Sequence, residues 1–225
     1  MESPIEVCLE SGDKRRFALA LHWPGWCRSG RGEDAALQAL LDYGPRYARV
    51  LHDAQLTFQA PLVVSAFTVI ERLAGNSTTD FGVPERAFKR DTRPLTPREL
   101  SDYSALLRAC WRAFDSAVEA AAGTTLRTGP RGGGRDLTKI FQHVQDVGAG
   151  YLGNLGVKWT TDALASDEAL THLRETILTA LAAAVSGELP THGPRGGVRW
   201  PPRTFVHRLA WHELDHAWEI EDRAG

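Results

Sequence analysis

Two histidines, His212 and His216, stand one helical turn apart in a segment whose apolar residues keep a helical period. Phe205, Leu209, His212, His216 and Ile220 fall on one stripe at about 100° per residue. An imidazole among apolar side chains needs a partner other than water, and a single buried histidine is satisfied by one hydrogen bond. Two at i, i+4 can both reach one ion, and neutral imidazole suits first-row transition metals. A third ligand must come from another element. His143, between Ile140 and Val147 on the apolar face of a separate helical segment, is the candidate.

The same stretch spells His212-Glu213-Leu214-Asp215-His216, the HExxH pattern of zinc proteases. That chemistry needs its own fold and a third ligand farther along, and only nine residues follow His216. His207, five residues before His212, points away from the pair. A second chemical signal is an internal echo. Gly129-Pro130-Arg131-Gly132-Gly133-Gly134-Arg135 recurs as Gly193-Pro194-Arg195-Gly196-Gly197-Val198-Arg199, 64 residues later, each time before a helix. Glycine lets backbone N–H groups turn toward a ligand, helix starts favour anions, and Arg131, Arg135, Arg195 and Arg199 supply forked donors. A substrate carboxylate or phosphate would suit such loops; the plain alternative is loops whose arginines pair with acidic side chains of another domain. In an up-and-down bundle the two following helices run parallel, which puts both loops at one end.

Four helical segments must position these groups. Thr96-Pro97-Arg98-Glu99 is a strong helix start, with Thr96 as N-cap and Glu99 able to close a capping box; the period then runs through Leu100, Tyr103, Leu107, Cys110, Phe114 and Ala117 until Gly123. A second helix is expected from Asp136 to Leu155, burying Ile140, Val144, Val147 and Tyr151, and a third from about Ser166 to Gly187. The last is the histidine helix, behind Pro201 and Pro202. Four amphipathic helices of about 20 residues pack economically as a four-helix bundle.

Ahead of them, Ile5, Val7 and Leu9 alternate with polar residues, Ser11-Gly12-Asp13-Lys14 turns the chain, and Phe17–Leu21 completes a hairpin. A Trp-Pro-Gly-Trp corner (Trp23–Trp26) leads to a helix from about Glu33, and Leu62–Ile70 reads as a buried third strand. Residues 76–93 are polar, aperiodic and interrupted by Gly82 and Pro84, and read as a linker. The fold class is therefore α+β: a small α/β domain over residues 1–90, then a helical bundle over 91–225.

Both halves resemble known families. Pro24-Gly25-Trp26-Cys27-Arg28-Ser29-Gly30 followed by Glu33-Asp34-Ala35-Ala36-Leu37 is similar to the HicB-like antitoxin pattern, over roughly residues 4–48. That resemblance implies a small α/β fold and a protein partner, without the DNA-binding segment that usually accompanies it. His22 and His52 find no matched partner there and read as surface or structural. One histidine on the second helix plus the His-x3-His pair on the last resembles the DinB-like (YfiT-like) metal-binding bundles, over about residues 97–222. It implies that His143, His212 and His216 hold a divalent ion, zinc or nickel, with water in the open positions. Glu219 stands where many members have a glutamine; a carboxylate there could bind the ion, orient its water or act as a base, or else form a rim ion pair with an arginine. DinB-like activities include metal-dependent transfer or isomerisation with small bacterial thiols, so the resemblance implies a low-molecular-weight thiol and a small-molecule substrate. The rival expectation is a non-catalytic binding or sensor protein, metal-stapled, whose HicB-like domain engages a protein partner.

Composition narrows the field. With 225 residues, 43% hydrophobic, and a net charge of −2, the chain can bury adequate cores but offers no basic stripe for nucleic acid. Three cysteines (Cys8, Cys27, Cys110) with no CxxC pair argue for a reducing compartment. No stretch resembles a signal peptide or a membrane span, so the expected location is the cytoplasm; a homo-oligomer is open.

Overall fold

The computed structural model describes residues 4–129, 134–159 and 167–224. Two compact units emerge, one ending at Arg93 and the other beginning at Pro94. The α+β class expected from the sequence is what the chain adopts.

The first unit is built on a four-stranded mixed sheet in the order β3-β2-β1-β4. Strands β1 (Ile5–Ser11) and β2 (Arg16–Ala20) form the antiparallel hairpin, with Val7 opposite Ala20 and Ser11 opposite Arg16. Their turn is held by the Asp80 carboxylate, which accepts from the backbone N–H groups of Asp13, Lys14 and Arg15 at 3.2, 2.7 and 3.2 Å. Strand β3 (Cys27–Gly30) follows the Pro-Gly corner, where Gly25 takes φ 91°, and Trp26 is fully buried with its indole N–H on Leu40 O at 2.8 Å. Helices α1 (Glu33–Asp42) and α2 (Gly44–Asp53) bury Ala36, Leu37, Leu40, Tyr47, Val50 and Leu51. Tyr47 stacks on Trp26 at 5.7 Å and donates its hydroxyl to Pro24 O, so the corner and α2 lock together.

Two expectations need correcting here. The strand read at Leu62–Ile70 is β4 (Phe67–Ala74), parallel to β1 and alternating in burial as a sheet-edge strand does, whereas Leu62 and Val63 are exposed. Residues 76–93 are no free linker: Asn76 caps the short helix α3 (Ser77–Phe81) by accepting from Thr78 N and Thr79 N. Glu10, wholly buried on β1, accepts from Thr79 Oγ1, Glu85 N and Arg86 N at 2.5 to 3.0 Å, which pins the segment to the sheet.

The second unit is made of four long helices: α4 (Pro97–Ala120), α5 (Leu137–Leu155), α6 (Asp167–Val185) and α7 (Pro202–Ala224). Caps fall where side-chain chemistry puts them, with Thr96 and Glu99 closing the box on α4, Asp136 accepting from Lys139 N, and Gly156 (φ 95°) ending α5. The expected start of α6 at Ser166 lies outside the described residues. Helix directions follow from terminal contacts. Arg203, in the first turn of α7, donates to Glu99 Oε1 and Tyr103 Oη near the start of α4, at 2.6 and 3.1 Å, so α4 and α7 are parallel. Trp200 N, just before α7, bonds to Asn154 O at the end of α5, and Arg223, near the end of α7, donates to Arg135 O before α5. Helices α5 and α7 are therefore antiparallel, which reverses the parallel arrangement expected of an up-and-down bundle. No described helix is long and apolar enough to cross a membrane.

Candidate metal centre

Helix α7 is buried nearly all round, charged residues included, which the amphipathic reading did not anticipate. Its stripe puts His212 and His216 against α5, and His143, in the second turn of α5, completes the group. The potential ligand nitrogens of the three histidines all lie within 4.8 Å of one another. His143 Nε2 and His212 Nε2 are 3.3 Å apart. Two nitrogens each about 2.0–2.1 Å from one tetrahedral ion stand about 3.4 Å apart, so this pair has the spacing of a bound set. Among the described residues no other group of three His, Cys, Asp or Glu side chains converges in this way.

Electrostatics keeps two of these rings, His143 and His212, neutral. Burial, then the charge of Arg135 and the neighbouring His216, pulls His143 down to about 4. His212, 6% exposed, is pushed well below the ordinary histidine value by burial, with His216, His143 and Arg208 adding to it. Neutral imidazoles hold a lone pair ready for a metal without competition from a proton. His212 Nδ1 is buried with no hydrogen-bond partner. The donor set fits a divalent transition ion: three imidazoles and no thiolate, the ligand chemistry of zinc, nickel, copper or iron sites.

Glu219 backs His216. Its Oε2 accepts from His216 Nδ1 at 2.8 Å and its Oε1 accepts from Arg223 Nη1 at 2.7 Å. Burial pushes the Glu219 carboxyl up, but the His216 hydrogen bond and the Arg223 guanidinium outweigh it and the net shift is downward. An ionised carboxylate can only accept, so Nδ1 carries the proton and Nε2 is free to face the cluster. Of the sequence alternatives for Glu219, the ion pair with an arginine is present, and the same carboxylate also orients His216. Arg223 also donates to Arg127 O and Arg135 O, tying the end of α7 to the chain entering α5.

Glu213 does not join the group. It is buried against Trp111, Gln145 and Arg174, and burial lifts its carboxyl to about 8, with Asp115 contributing in the same direction. The HExxH base would have to face the metal, and Glu213 belongs to the side of α7 that meets α4 and α6. His207 is buried rather than on the surface. In the first unit His22 pairs with Glu6 at 3.0 Å and His52 lies exposed beside Asp53.

The two glycine-arginine loops separate. Arg135 precedes the first residue of α5, while Arg199 donates to Leu155 O at the last. At about 1.5 Å per residue the two ends of this helix are roughly 28 Å apart. The antiparallel packing therefore sets Arg135 and Arg199 at opposite ends of α5. Arg199 also bonds to Pro190 O, so it serves the C-terminus of α5, where cations are favoured. Arg195 is exposed, and Arg131 lies outside the described residues. Arg135, exposed, is the one whose charge reaches the histidines.

Tyr151, Trp200 and Arg208 complete the surroundings of His212. Tyr151 sits 6.1 Å from the His212 ring and 5.0 Å from Trp200, ring centre to ring centre. The sequence reading passed over Arg208, although its position four residues before His212 places it on the same side of the helix. No protein family, curated protein or solved structure matches this chain, so the reading of the site rests on its own geometry.

Proposed function

We propose that the chain is a divalent-metal-dependent enzyme of the DinB-like type, carrying out transfer or isomerisation on a small-molecule substrate with a low-molecular-weight thiol. The observation that supports it is a cluster of three protein ligands without a fourth among the described residues. Structural sites close with four protein donors, whereas catalytic sites keep a position for water or substrate. Of the carboxylates near the cluster, Glu219 has one oxygen on His216 and the other on Arg223, and His143 is only half buried, which leaves one side of the cluster approachable.

A zinc or nickel ion held there lowers the pKa of a bound thiol or water and polarises a carbonyl. The chain's own contribution is positional. Glu219 fixes the His216 tautomer, burial keeps His143 and His212 unprotonated, and Arg135 offers positive charge to an anionic ligand. Each Glu219 oxygen keeps a second lone pair, so the carboxylate can also take a proton with His216 in place, which is the base role the sequence suggests.

In the competing reading the metal staples the helices and the first unit engages a protein partner. Metal analysis of the purified protein, followed by turnover of an electrophile with a panel of small thiols, separates the two. Stoichiometric metal with thiol-dependent turnover supports the enzyme. Stoichiometric metal whose coordination sphere admits no exogenous ligand supports the staple.

A further inference from the structure

Arg208 is 7% exposed, yet its Nε and Nη1 are fully buried without a hydrogen-bond partner. Its guanidinium lies over the rings of Trp200 and Trp211, 5.5 and 5.8 Å from their centres, within cation–π range. It also bonds to the Tyr151 hydroxyl. Among the described residues no carboxylate pairs with it. Every other buried arginine of α7 is matched: Arg203 with Glu99, and Arg223 with Glu219.

This is an expensive arrangement to keep. An arginine cannot shed its proton, and a buried charge without a counter-ion destabilises the fold that holds it. Groups of that kind persist where a ligand supplies the missing partner. Location sharpens the point. Arg208 is one turn before His212 on α7, its charge acts on His212, and Tyr151 touches both residues. Each edge of the guanidinium sets one of the unpartnered nitrogens, Nε or Nη1, beside Nη2 as parallel donors, which match the two oxygens of a carboxylate. The Trp200 and Trp211 rings against the guanidinium exclude water and strengthen that pairing.

We infer that Arg208 is the recognition group for the carboxylate of a small organic acid whose other end reaches the three-histidine centre. The inference deepens the proposed enzyme reading by naming its substrate class, and it rests on that reading for the metal end alone. Arg208 is a binding residue here; Tyr151 positions it, and Trp200 and Trp211 shield it.

The test uses the full chain loaded with cobalt, titrated with pyruvate and with benzoate, and with inorganic phosphate as the comparison anion. Binding is read from the cobalt absorption bands and from the melting temperature. Either carboxylate should perturb the bands and raise the melting temperature of the wild-type protein more than phosphate does. Arg208→Lys, which keeps the charge and loses the fork, should weaken carboxylate binding roughly tenfold, and Arg208→Gln should abolish it, both with unchanged cobalt content. Arg208→Met should melt no lower than wild type without ligand, because it removes an unpaired buried charge. Carboxylate binding that is equal in wild type and Arg208→Lys, or absent from the cobalt-loaded wild type, overturns the inference. If the wild type takes up no metal, the enzyme reading fails separately: a carboxylate-induced rise in melting temperature that disappears in Arg208→Lys would still support Arg208, and no rise would refute it.

Discussion

His216 Nδ1 and Glu219 Oε2 lie 2.8 Å apart on successive turns of α7, and that contact decides which nitrogen of His216 is left to face His143 and His212. Carboxylates in this position raise the basicity of the ligand and fix its ring. Glu219→Gln should therefore lower metal affinity by about 10–100-fold while the helical content stays constant, as read by chelator competition. An unchanged affinity would mean that Glu219 serves Arg223 only.

The pairing of Glu99 with Arg203 gives an acid-side signature. Burial raises the Glu99 carboxyl, but the Thr96 N–H and the Arg203 guanidinium overcome it and hold it at about 2. A folded value below the ordinary 4.5 means stability that is fully present above pH 4.5 and is lost as pH falls toward 2. Glu99 is 34% exposed, so solvent screens part of the effect. The urea midpoint of Glu99→Gln should fall less steeply than that of wild type across this window, and parallel acid limbs would contradict the assignment.

Glu10 anchors residues 76–86 through charge-assisted hydrogen bonds from Thr79, Glu85 and Arg86. Replacing it by alanine leaves the buried Thr79 hydroxyl without its acceptor and should destabilise the first unit by about 1–3 kcal/mol. Amide exchange should speed up at Thr79, Glu85 and Arg86, with metal content unaltered. Persisting protection there would show that the segment is held by other contacts.

Gly156 ends α5 with φ 95°, a conformation that costs an L side chain about 1–2 kcal/mol. An added Cβ would also collide with the Arg199 guanidinium and displace its contacts with Leu155 O and Pro190 O, so Gly156→Ala should lower stability by at least that amount, measured by chemical unfolding of the second unit. A neutral substitution would indicate that α5 can end in another way.

Much of this architecture could be read from local chemistry. Thr96 with Glu99, Asp136, Pro202 and the glycine after Leu155 mark helix ends because caps act over three or four residues, within reach of a sequence window. The His212–His216 spacing is equally local, and His143 was visible as a polar intruder in an apolar period. What escaped was set by partners distant in sequence. The direction of α7 relative to α5 depends on which termini meet, here Trp200 with Asn154 and Arg223 with Arg135, and no local pattern encodes that. Strand β3 is four residues long and follows a corner that reads as a turn, while Leu62 and Val63 are apolar yet exposed, so β4 was placed too early. The burial of Arg208 and Glu213 was hidden because charged residues normally mark the solvent face of a helix.

The most direct test of the central claim is elemental analysis of the protein after reconstitution with zinc or nickel and removal of loose metal. Wild-type protein should retain about one ion per chain, and His143→Ala, His212→Ala and His216→Ala should each lose it while keeping their helical content. Full metal retention in His216→Ala, or none in the wild type, would contradict a site built from these three histidines.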